Sequence, residues 1–200
     1  MNLSSWLESG RRVRLGFVEQ GSEPVRAYFE FAGRTGTLAV TLAATAVLLV
    51  LVFPNLPIDG ELLDLKPGYS HDEAMASMEQ YGPNGRTMYA WASVLIDTLF
   101  PVCYVTLFAG LIYRFRLTEG TWILAFLPVA AGIWDLAENA QITAMLLQYP
   151  DVGATQVAWA STFTAVKGWM GPIYQTLGVG LLAVQAARAA IRAIRRRVGS

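Results

Sequence analysis

Four ionisable residues, Asp97, Asp135, Glu138 and Lys167, lie inside stretches otherwise apolar and long enough to cross a bilayer. A charge at the bilayer centre costs about 3 kcal/mol on insertion scales, so such groups mark functional positions by default. Three carboxylates and one ammonium support a short list of chemistries. They bind a cation, pass a proton, or place a carboxyl as general acid beside a lipid-borne substrate. Fully ionised, the set carries a net charge of −2. Buried net charge is relieved by protonation, by pairing or by a bound cation.

The elements that must position these groups follow from where the charges fall. Of the 200 residues, 54% are hydrophobic and 15% charged, with a mean hydropathy of +0.40. Soluble domains carry about 25% charge, so the class is membrane. Residues 35–58 hold no charge, 87–113 only Asp97, 120–150 only Asp135 and Glu138, and 152–187 only Lys167. A helical crossing takes about 20 residues. The expected fold is all-α: one polytopic membrane domain over 1–200, a bundle of four transmembrane helices with cores at 37–54, 88–112, 121–147 and 156–184. The first is no cleavable signal, since it ends in Phe53-Pro54-Asn55-Leu56-Pro57 without a small-residue cleavage site.

Lys and Arg set the expected orientation. Twelve arginines fall in the N-terminal segment 1–36 (Arg11, Arg12, Arg14, Arg26, Arg34), the second loop (Arg114, Arg116) and the tail 185–200 (Arg188, Arg192, Arg195, Arg196, Arg197). The opposite side has only Lys66 and Arg86 among many acids. Both termini are therefore expected in the cytoplasm, N-in and C-in. Ser22 and Pro24 open a helix over Glu23 to Phe31 at the interface. The basic tail continues the last helix and meets anionic lipid rather than nucleic acid. In the outer loop, 55–87, Ser70 and Glu73 fit a capping box, and Ala74, Met75, Met78 and Tyr81 recur at helical spacing. This predicts a short amphipathic helix, stopped by Gly82-Pro83-Asn84-Gly85.

Depth brings the charges together. At about 1.5 Å per residue, Asp97, Asp135, Glu138, Asn139 and Lys167 all lie roughly 12–18 Å below the outer surface. Their faces agree. Ser93, Asp97, Pro101 and Tyr104 share one side of the second span, and Asp135, Glu138 and Asn139 one stripe of the third, with Gly132 a turn before. Thr164, Lys167, Gly171, Tyr174, Gln175 and Gly178 share one side of the fourth. Pro101 frees the carbonyl of Asp97, and Pro172 that of Gly168. Freed backbone in a membrane needs a partner or a wet cavity. Trp91 and Trp122 suit the interface belt, Trp134, Trp159 and Trp169 core packing, and His71 a helix start.

The order Gly68-Tyr69-Ser70, Gly85-Arg86, Asp97 with Phe100-Pro101 and Tyr104, then Asp135-Leu136-Ala137-Glu138-Asn139 resembles small bacterial four-span membrane proteins. The resemblance implies a bacterial inner-membrane protein and brings no activity with it. The single Cys103 precludes an internal disulfide, and the single His71 excludes a zinc site of several His or Cys ligands. There is no Gly-rich phosphate loop, nucleophile elbow or paired-histidine motif. No motif names a cofactor, and no residue is assigned as a metal ligand.

The leading expectation is a protein that binds or translocates a cation, a proton or a small amphiphile. Asp97, Asp135 and Glu138 are its anionic ligands, Lys167 tunes them, and Tyr104, Asn139, Tyr174 and Gln175 orient the ligand. One alternative is an intramembrane enzyme on a lipid or isoprenoid, with Asp97, Asp135 or Glu138 catalytic. Another is a non-catalytic subunit of a membrane complex. Cavity shape separates them: an apolar tunnel open sideways to lipid fits an enzyme, a polar path through the bundle fits translocation, and no cavity fits the structural role.

Overall fold

The computed structural model describes residues 23–198. Among them there is no strand, and four helices are long and apolar enough to cross a membrane. Ser22, Arg11, Arg12 and Arg14 lie outside the described residues. Helix α1 covers 23–32 with Pro24 in its first turn, where the missing N–H costs nothing. A two-residue turn leads to α2, Thr35–Val47, which continues as a π turn over Leu48–Val52 and a 3₁₀ turn over Phe53–Asn55. Pro54 prevents a further α turn.

Helix α3, His71–Phe115, is 45 residues long and is the spine of the bundle. Ser70 caps it through the full box: its side chain accepts from the Glu73 N–H, and the Glu73 carboxylate accepts from the Ser70 N–H at 2.7 Å. His71 is the first helical residue. The sequence Gly82-Pro83-Asn84-Gly85 does not stop the helix as expected. Gly82 takes φ +64°, a left-handed conformation open to glycine, and the helix restarts at once with Pro83 in its new first turn. The break is a kink.

A 3₁₀ segment, Glu119–Ala125, leads into α4, Phe126–Gln148, and α5 runs from Ala154 to Val198, through the basic tail. Helices α3, α4 and α5 pack pairwise, and α2 packs on α3; no comparable packing joins α2 to α5. Glycines set close approaches between the helices. A Cβ on Gly132 would lie 2.6 Å from Val105 Cγ2, and one on Gly178 would lie 3.2 Å from Phe108 Cδ1. Glycine at these points draws α4 and α5 onto α3.

Two apolar cores result. One lies toward the end carrying the 56–70 loop and gathers Leu63, Met78, Tyr81, Tyr89, Ile142, Met145 and Val157. The other gathers Phe29, Tyr104, Ile112, Tyr113, Ala131 and Tyr174. On α3, α4 and α5 alike, the ionisable residues fall between these two cores. The tryptophans depart from expectation. Trp159 and Trp169 are exposed, Trp169 to 80%, and Trp134 faces outward against Phe163. In an apolar bundle the outward face is as hydrophobic as the inward one, so hydrophobicity alone does not report burial.

Candidate functional site

The site starts from two side chains on successive turns of α4. Asp135 and Glu138, three residues apart, project from one face, and Lys167 reaches both from α5. Its Nζ donates to Asp135 Oδ1 at 3.3 Å and forms an ion pair with Glu138 Oε2. Glu138 is 0% exposed, and its Oε1 accepts from the Thr164 hydroxyl at 2.5 Å. Thr164 and Lys167 share a face of α5, so one helix supplies both partners of one carboxylate. Asp135 is 5% exposed, and its Oδ2 accepts from Tyr104 Oη of α3 at 3.0 Å. The group is thus satisfied by side chains of three helices, as a buried charge requires.

Asp97 is held differently. Pro101 deprives the Asp97 carbonyl of its helical donor. Asn139 Nδ2 replaces that donor at 2.7 Å, across from α4. The kink and the amide together lock α3 to α4 at this layer. The Asp97 side chain is 8% exposed and has no ion-pair partner among the described residues.

A cavity of about 900 Å³ opens beside this layer, between α2, α3 and α5. Asp97, Asp135, Asn139, Lys167, Tyr104, Tyr174 and Gln175 line one part of it. Leu42 and Ala46 of α2, Leu49 of the π turn that follows it and Leu107 of α3 line an apolar part. Glu138 does not reach the cavity; it is sealed behind Lys167 and serves that lysine. Gly168, whose carbonyl Pro172 leaves without its helical donor, also lies on the lining.

Phe53, Phe100, Phe108, Leu62, Asp64 and Leu65 were not singled out as ligand contacts in the sequence, whereas Tyr104 and Tyr174 were. Phe53, Phe100, Tyr104, Tyr174 and Phe108 form an unbroken aromatic row along the cavity. Successive ring centroids are 5.3, 5.1, 5.7 and 5.1 Å apart, and Tyr104 and Tyr174 lie parallel within 4°. Leu62, Asp64 and Leu65 bring the 56–70 loop onto the same cavity. The loop is pinned there by its neighbours. Tyr89 Oη donates to Asp64, Tyr81 Oη donates to the Glu61 carbonyl at 2.6 Å, and the Tyr69 N–H donates to Ser161 Oγ at 2.8 Å. The one hint in the sequence was Asp64 set among leucines, Leu62-Leu63-Asp64-Leu65.

Loop groups feel this packing. Burial pushes the Tyr69 phenol above its ordinary value. The His71 imidazole is raised, first by its 3.0 Å hydrogen bond to the Val152 carbonyl and then by Asp72. The Glu73 carboxyl is lowered by the two Ser70 hydrogen bonds of the capping box. Among the described residues, no group of three or more His, Cys, Asp or Glu side chains gathers in metal-holding geometry. No protein-family model matches this chain, and neither a curated protein nor a solved structure is found similar to it.

Proposed function

We propose that this chain is a four-span membrane protein that binds an amphiphile between α2 and α5. Its termini and Arg114–Arg116 turn face the cytoplasm, and the 56–70 loop with residues 71–81 covers the outer end. The arginine asymmetry supports that orientation. One observation carries the ligand class. The cavity has apolar walls on α2 and α3 and a charged, hydrogen-bonding end on α3, α4 and α5. Ligand sites of this kind are mostly apolar, with a few placed polar groups fixing orientation. The gap between α2 and α5 gives a lipid tail lateral entry, and Asp97, Asp135 and Asn139 receive its head, with Lys167 holding Asp135 in place. The basic end of α5 contacts anionic lipid.

Native mass spectrometry of protein extracted in mild detergent tests this. A bound amphiphile is expected in the wild type and lost in Ala46→Trp, which fills the cavity from α2. Protein that carries no amphiphile and takes up none on reconstitution would refute the proposal.

The enzyme reading keeps one supporting observation: two carboxyls, Asp97 and Asp135, stand at the head-group end of a laterally placed apolar cavity. An enzyme would convert its bound lipid on incubation, and Asp97→Asn would lose turnover beyond what its weaker binding accounts for.

A further inference from the structure

Lys167 is the only basic residue on the cavity lining, and its ammonium is already committed to Asp135 and Glu138. Two other carboxylates face the same space. The Asp97 side chain, 8% exposed, lines the cavity, and Asp64, on the loop at the same cavity, accepts from Tyr89. Neither has an ion pair among the described residues. The aromatic row runs beside them, with Phe100, Tyr104 and Tyr174 closest in sequence and packing to the charged layer.

A partly buried carboxylate without a counter-charge favours an incoming cation. Aromatic faces attract organic cations through the ring quadrupole. An anionic head would meet like charge, and a hydroxyl head would leave both carboxylates uncompensated. We propose, building on the amphiphile-binding function above, that the ligand is a lipid-soluble amine: a cationic head between Asp97 and Asp64, its tail along the α2 wall.

The test uses full-length protein in maltoside micelles, with empty micelles as blank. Tritiated dodecylamine is the probe, and dodecanol, dodecyl sulfate and butylamine are competitors. Dodecylamine is expected to bind at least tenfold tighter than dodecanol, and neither dodecyl sulfate nor butylamine displaces it. Asp97→Asn is expected to lower amine affinity at least tenfold and dodecanol affinity by much less, so that the preference for the amine shrinks. Asp64→Asn reads the same charge from the loop if Asp97→Asn does not fold. Equal affinity for dodecylamine and dodecanol in the wild type overturns the cationic head. Displacement by butylamine as effective as by dodecylamine overturns the lipid source in favour of a soluble amine. Binding of none of the four overturns the amphiphile function itself, which separates the two failures.

Discussion

Replacing Lys167 by methionine removes the only cation from a layer where two carboxylates depend on it. Glu138 is completely enclosed, with Thr164 as its remaining partner. Asp135 keeps Tyr104 and an edge on the cavity. Breaking a buried pair by removing one partner costs about 3–5 kcal/mol, so Lys167→Met is expected to destabilise by about 4 kcal/mol. Glu138→Gln leaves Lys167 with Asp135 and is expected to cost about 2 kcal/mol, the scale of an imperfectly satisfied buried polar group. The double variant carries neither the stranded carboxylate nor its cation. Its cost should be about 3 kcal/mol, well short of the sum of the singles, giving a coupling of about 3 kcal/mol. Lys167→Met with Asp135→Asn should couple less, since Asp135 retains its tyrosine and access to the cavity. Reversible unfolding in mixed micelles at rising dodecyl sulfate fraction measures all the variants. Additive losses, with coupling below about 0.5 kcal/mol, would show that Lys167 is not the shared partner.

Three further outcomes are expected. Asn139→Leu leaves the Asp97 carbonyl without a donor and should cost about 1–3 kcal/mol; in a Pro101→Ala background, where the helix supplies its own N–H, the same change should cost less. Cysteines placed at Gly120 and Ser200 in a Cys103→Ser chain should label only from the cytoplasm, and one at Asp59 only from outside; outside labelling at Ser200 would reverse the proposed orientation. His71, the only histidine, should titrate in NMR above its ordinary value, moving only in part toward it in Asp72→Asn, because the Val152 carbonyl is the larger cause. Since the folded value is raised, His71 supports the fold fully below its unfolded value of about 6.5. That support is lost as pH rises through the raised folded value, so thermal stability should fall across that interval.

Polar groups in apolar sequence are conspicuous, and for that reason much of the charged layer was readable before the structure. Asp135, Glu138 and Lys167 meet because helical rise and span direction put them at one depth, and both are fixed by counting residues. Pro101 was readable too, since the carbonyl it frees is set by covalent geometry. What closes over a given side chain was not. The i, i+3 spacing of Asp135 and Glu138 says that they share a face, yet Lys167 seals one and leaves the other on the cavity. Which of them a lysine on another helix covers depends on the rotation of α5, set by packing at Gly178 and Phe108. Asp64 reaches the cavity only because Tyr81 and Tyr89 hold the loop, contacts that local pattern does not encode. Trp159 and Trp169 gave the opposite error. Outside the stripe of Thr164, Lys167, Tyr174 and Gln175 their span is apolar, so hydrophobicity alone could not tell lipid from core.

The fold does not need the charged layer. A buried ionic cluster can often be replaced by apolar side chains of similar volume at no loss, or at a gain, in stability. The two apolar cores already lie on either side of it, and carrying the same packing through would be the simpler way to join α3, α4 and α5. The layer instead divides its labour. Glu138, Thr164 and Lys167 form a closed unit that fixes Asp135 against Tyr104. Pro101 and Asn139 fix the bend of α3 from which Asp97 projects. Both arrangements spend buried polar groups on aiming a carboxylate at one wall of one cavity. A bundle held only for stability has no use for that aim. An occupant whose head group meets those carboxylates does, and its removal should leave Asp97, rather than Glu138, as the group whose charge is least compensated.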